Sequence, residues 1–113
     1  MEDHIVVLVT VPSRESGTDI ARTLLERKLA ACVNIVPSIK SLYTWEEELC
    51  TDDEVLLLIK TRRPLFEAEL VPAVQEVHPY DIPEIVALPI VAGSREYLDW
   101  IDVEVPGANR ERP

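Results

Sequence analysis

Basic residues are scarce in this chain, with 11 Lys and Arg against 21 Asp and Glu in 113 residues and a formal net charge of -10. Nucleic-acid binding needs clustered Lys and Arg that release counterions from phosphate, and no such cluster is present. DNA and RNA are therefore disfavoured as partners, and anionic membrane surfaces with them. An acidic surface attracts cations, although an excess of negative charge ordinarily serves solubility. Cysteine occurs only twice, as Cys32 and Cys50 without CxxC spacing, so neither a zinc centre nor a disulfide framework is indicated and both read as reduced thiols. Long hydrophobic runs are absent too. Ile5 to Val11 is too short to span a bilayer, and it follows the acidic Met1-Glu2-Asp3 where a signal peptide would be basic. The expectation is a cytoplasmic protein with no membrane partner. Methionine and glutamine appear once each and asparagine twice, against nine prolines, a bias that resembles heat-adapted proteins.

What is present suits one folded core: 47% hydrophobic residues and 28% charged residues, spread along a chain too short for two domains. The run from His4 to Val11 is β-branched and almost continuously apolar, as in a strand buried on both faces. A helix follows, capped by Ser13 or by Ser16, with Asp19 favouring Ser16; Ile20, Ala21, Leu24, Leu25 and Leu29 form its apolar face. Ala31 to Val36 reads as a strand that Pro37 interrupts and that resumes from Ile39 to Trp45, with Ile39, Ser41, Tyr43 and Trp45 on one side. After a turn around Glu46, Glu47 and Glu48, Val55 to Ile59 is a further strand, so residues 31–61 form a long hairpin whose tip projects beyond the domain. Pro64 opens a second helix running to Val77 with Phe66, Leu70, Val74 and Val77 as its stripe; Pro72 within it should bend the axis. Glu84 to Val91 is the fourth strand, Ser94 to Ile101 a short helix, and residues 103–113 a tail expected to fray after a single domain of residues 1–102. This βαββαβ order predicts an α+β fold, a four-stranded antiparallel sheet with two helices on one face, plus the additional C-terminal helix.

Six short segments, Leu29-Ala-Ala-Cys-Val-Asn34, Ser41-Leu-Tyr-Thr-Trp45, Lys60-Thr61, His78-Pro-Tyr80, Pro83-Glu-Ile85 and Tyr97-Leu-Asp-Trp100, resemble the signatures of the CutA family in order and spacing. The resemblance covers nearly the whole domain, from Ile5 to Ile101. It implies a ferredoxin-like subunit in a homotrimer similar to PII-type signalling proteins, associated with divalent-cation tolerance and with no enzymatic reaction. A hairpin of this length independently wants a partner, because it exposes Tyr43, Trp45 and Leu49. Two departures stand out. Glu47 occupies a turn position where the family usually has glycine, and Val9 and Val77 stand where some bacterial members place a cysteine and a histidine thought to bind copper.

His78, Asp81 and Glu84 share one short loop, where an imidazole and two carboxylates can converge on copper or zinc; the alternative is that they brace the loop. Cys32 is a second metal-ligand candidate, against the simpler reading of a small buried sulfur. Tyr43 and Trp45 suit a ligand platform or interface packing, and Lys60 an anion or a nearby carboxylate. Glu46, Glu47, Glu48, Asp52, Asp53 and Glu54 lack calcium-loop spacing and read as a solvated face. Two other classes stay open: a trimeric scaffold that anchors partner proteins, and an acylphosphatase-like enzyme on the same fold, with Arg14 after the first strand where an anion-binding loop would be and Asn34 on another strand, read as structural.

Overall fold

The computed structural model describes residues 3–111 and gives the order β1 (His4–Val11), α1 (Arg14–Glu26), β2 (Cys32–Trp45), β3 (Glu48–Arg62), α2 (Val71–Val77), β4 (Ile85–Pro89) and α3 (Arg95–Glu104). The sheet runs β2-β3-β1-β4 with every neighbouring pair antiparallel, a ferredoxin-like α+β fold. Strand alternation divides it into two faces. Val7, Val9, Val11, Leu57 and Ile59 look inward and are fully buried with Ile20, Leu24, Leu70 and Val74 of the helical layer. Their neighbours Val6, Leu8, Leu56 and Leu58 look outward, paired with Leu88, Val86 and Val36 in adjacent strands.

Helix α1 starts at Ser13, whose hydroxyl accepts from the Ser16 amide at 3.1 Å; the expected cap at Ser16 is corrected by one turn. The reason is tertiary. Gly17 lies against the sheet, where an added Cβ would meet Leu57 Cδ2 at 3.0 Å, so the helix must already be running where its glycine touches β3. Leu25, placed on the apolar face by spacing, is instead 41% exposed. The helix ends in a Schellman motif, with Leu29 N–H on Leu24 O at 2.8 Å and Lys28 N–H on Leu25 O at 3.1 Å. That motif demands left-handed backbone at Lys28, whose φ is 59°.

The hairpin stretches the chain to 46 Å against 27 and 25 Å in the other directions, so its tip does project. Pro37 does not split β2. The strand passes it through a bulge between Val36 and Ile39, with Ser38 at φ 63°. At the tip, Trp45 pairs with Glu48 and only Glu46 and Glu47 turn the chain, at φ 50° and 67°. Two positive φ values are the type I′ pattern that best matches strand twist, and it favours Asn and Gly. Here two glutamates carry it.

The expected continuous helix from Pro64 to Val77 is three pieces: a 3₁₀ turn at Arg63–Leu65, a π-helical turn at Phe66–Leu70, then α2. Pro72 accounts for this, since its ring would clash with the carbonyl four residues back and it has no N–H to donate. Widening the preceding turn, so that Val71 N–H bonds Phe66 O, accommodates the proline with a local change of register. Val77, predicted in the apolar stripe, is 38% exposed.

Helix α3 lies on the outer face. His4 and Arg62 are cross-strand partners on that face, and Asp102 bonds His4 Nε2 at 2.8 Å and Arg62 Nη1 at 3.0 Å. Arg62 is buried and also pairs with Asp3 and with Asn109. The expectation of fraying from residue 103 is corrected: α3 continues to Glu104, a 3₁₀ turn spans Pro106–Glu111, and Val105 and Ala108 are fully buried. Residues 112 and 113 of the expected tail lie outside the described residues.

Candidate functional site

A cleft of ≈ 940 Å³ lies on the outer face, between the hairpin and the loop joining α2 to β4. The β2 bulge sets its wall. One extra residue in β2 places Ile39, Ser41, Tyr43 and Trp45 on the face of Glu54 and Asp52. Tyr80, Asp81, Ile82 and Glu84 come from the loop opposite.

His78 positions that loop and is not spare to ligate a metal. Its Nδ1 accepts from the Tyr80 backbone N–H at 3.0 Å, which places the proton on Nε2, and Nε2–H donates to the Thr10 carbonyl at 2.8 Å. Its ring packs on Tyr80 with centroids 4.9 Å apart. Tyr80, so held, donates its hydroxyl to Glu54 Oε2 at 2.8 Å. Across the cleft the Tyr43 hydroxyl donates to Asp52. Burial and the Glu54 bond push the Tyr80 phenol up to about 12, and the Asp52 bond does the same for Tyr43.

The structure brings Asp81, Glu84, Tyr43 and Trp45 to one cleft, but among the described residues no group of three His, Cys, Asp or Glu is arranged to hold a metal ion. The described donors of this chain therefore do not by themselves make a closed metal centre. Cys32 and Lys60 sit elsewhere, six positions along β3 from Glu54, a separation of about 20 Å at strand rise. Cys32 faces Lys60 across the ladder, a cationic neighbour the linear sequence does not reveal, and Lys60 donates to Asn34 Oδ1. Asn34 is thus engaged, and Arg14 is exposed on the first turn of α1, so neither supports the acylphosphatase-like site.

Tyr80 and Glu54 are the residues that reading the sequence missed. Glu54 is corrected from solvated face to buried carboxylate, at 7% exposure. Its signal was period two: counted back from Leu58 and Leu56 it falls on the same sheet face, at the end of an apolar run.

The chain is thus a ferredoxin-like domain with a long β2–β3 hairpin and an acidic cleft walled on one side by aromatic rings. Residues 5–104 match the family described as CutA1 divalent ion tolerance protein, and the chain belongs to that family. It is 55% identical over 96 residues to the divalent-cation tolerance protein CutA of Thermus thermophilus, covering 85% of this chain and 92% of that one. It is 54% identical over 97 residues to the chloroplastic CutA of Arabidopsis thaliana, covering 86% of this chain but 53% of the relative. The crystal structure of CutA1 from Oryza sativa superposes with a TM-score of 0.87 at 49% identity, covering 92% of this chain and 94% of that one. Those family names are not enzyme names, and no described helix is long and apolar enough to cross a membrane.

Proposed function

We propose that the chain is a non-enzymatic homotrimer of divalent-cation tolerance, similar in architecture to PII-type proteins, that responds to metal ions such as copper. The observation that carries the assembly is the outer sheet face. Leu8 and Leu58 lie half-buried at its centre, and Val86 and Leu88 are 47% and 50% exposed beside them. Leu42 and Leu49 add exposed apolar surface on the opposite face of the hairpin, at 64% and 76% exposure. Apolar area of this extent on a small domain favours burial against copies of itself, which closed symmetry completes.

Copper or zinc would be met by Asp81 and Glu84, exposed carboxylates without a side-chain partner among the described residues, with water or a neighbouring subunit completing the shell. A cytoplasmic setting suits the two free cysteines. Light scattering at micromolar concentration tests the assembly, with a mass of about three chains expected. Calorimetric titration with Cu²⁺ and Zn²⁺ tests the ion response. A monodisperse monomer overturns the trimer, and heats indistinguishable from dilution overturn the metal reading.

A further inference from the structure

The two histidines of the chain meet protonation in opposite ways. His4 Nε2 bonds the Asp102 carboxylate at 2.8 Å, and a carboxylate accepts from a neutral or a charged ring alike. His78 instead has backbone groups of fixed polarity at both nitrogens. Nε2 meets the Thr10 carbonyl at 2.8 Å, which can only accept, and Nδ1 meets the Tyr80 N–H at 3.0 Å, which can only donate. One protonation state serves both, the neutral ring with its proton on Nε2. A second proton, on Nδ1, turns the acceptor into a donor facing a donor.

Nothing bonded to the ring offsets that loss, since among the described residues neither nitrogen is bonded to a carboxylate. The ionisable side chains on the surrounding elements are Glu76 on α2, Tyr80, Asp81 and Glu84 on the loop, Glu54 on β3, and Arg14 at the start of α1 beyond the end of β1. The carboxylates favour a charged ring and Arg14 opposes it, but both act through space, whereas the Nδ1 bond is broken outright. The effect travels through one side chain. Tyr80 packs on the imidazole at 4.9 Å between centroids and donates its hydroxyl to Glu54 Oε2 at 2.8 Å.

We propose that His78 is an acid-operated catch on the loop of residues 78–84. Neutral, it holds the Tyr80 amide and so seats Tyr80 on Glu54. Protonated, it releases that amide, and Tyr80 leaves Glu54. The Thr10 bond survives in both states because Nε2 keeps its proton, so the ring stays fastened to β1 while the chain beyond Pro79 lets go. The catch is closed where the ring is neutral and opens as pH falls through its titration. It lies inside one chain, with His78 buried, and stands whether or not copies cover the outer face.

The test follows the full chain by NMR as the solution is taken from about pH 8 to about pH 4.5, the span in which an imidazole charges. The nitrogen shifts of the His78 ring report its tautomer and charge. Exchange protection of the Tyr80 amide, corrected for the intrinsic pH dependence of exchange, reports the catch. An Nε2–H tautomer is expected at the start, then a fall of about fivefold in Tyr80 protection at the midpoint of the ring titration, while the amides of the buried Val7 and Ile59 keep theirs. His78→Asn, whose Oδ1 stands in for Nδ1 as an acceptor that does not titrate, should hold Tyr80 protection constant over the same span. An Nδ1–H tautomer, Tyr80 protection that ignores the ring titration, a ring that charges only as the core amides open, or the same fall in His78→Asn overturns the proposal. The ring and amide measurements need no substitution, so a variant that fails to fold cannot shield it.

Discussion

His78 and Thr10 join the loop before β4 to the end of β1 through one bond, imidazole Nε2–H to carbonyl, at 2.8 Å. Because Nδ1 is occupied by the Tyr80 amide at 3.0 Å, the side chain satisfies two backbone groups at once. Replacing it by alanine leaves both without their partner. His78→Ala is expected to lower stability by about 1–3 kcal/mol, measured by denaturant unfolding, and to leave Cu²⁺ and Zn²⁺ stoichiometry unchanged. Lost metal binding at unchanged stability would restore His78 as a ligand.

The tyrosines predict an alkaline transition. Tyr80 and Tyr43 both titrate near 12 in the folded chain, against about 10 for a free phenol. A raised folded value means the native state holds its protons longer, so the associated stability is intact below pH about 10 and is lost as pH rises from there through about 12. Tyr97 shifts the same way through burial and its neighbour Cys32. Ultraviolet titration should therefore show phenolate absorbance delayed beyond pH 10 in the native protein and a normal midpoint in denaturant. Coincident curves would contradict the Tyr–carboxylate pairs.

At the hairpin tip, two glutamates hold positive φ where glycine and asparagine cost least. The pair Glu46→Asn with Glu47→Gly should stabilise the chain by about 1–2 kcal/mol in thermal melting, through relief of backbone strain and of like-charge repulsion with Glu48. An unchanged or lowered melting temperature would mean the turn is not strained.

The proposed assembly face is open to a direct challenge. Val86→Glu with Leu88→Glu places charge on residues already solvent-exposed in one chain, so the fold should survive by circular dichroism while the light-scattering mass falls from the three chains proposed to about one. A trimer that persists would locate the interface elsewhere.

Strand positions were legible in the sequence because apolar runs and period-two alternation are local signals. Ile39, Ser41, Tyr43 and Trp45 share a face as their spacing said. Ser13 and Ser16 were both legible as caps, but the choice between them was not, since what decides it is Gly17 meeting Leu57, a contact made only after folding. The π turn was foreshadowed by Pro72 without its form being readable: the sequence shows the conflict, and packing of Leu70 and Val74 chooses the resolution. In the cleft, Tyr43 and Trp45 were visible as a pair, but the pairing of Tyr80 with Glu54 is tertiary. The roles of the His78 nitrogens were equally hidden, because backbone groups that leave no mark on the sequence consume them.

The bulge at Pro37 and Ser38 acts as a phase shifter for everything beyond it. Up to Val36, even-numbered residues of β2 look outward; from Ile39 on, odd-numbered ones do. Deleting Ser38 alone would set Pro37 opposite Val55 and leave Ile39 opposite Glu54, so the distal half would keep its faces and the hairpin would lose only the local bend of the bulge. Tyr43 and Trp45 reach the cleft from odd-numbered positions because the bulge absorbs one residue of a strand that contributes no carboxylate to it.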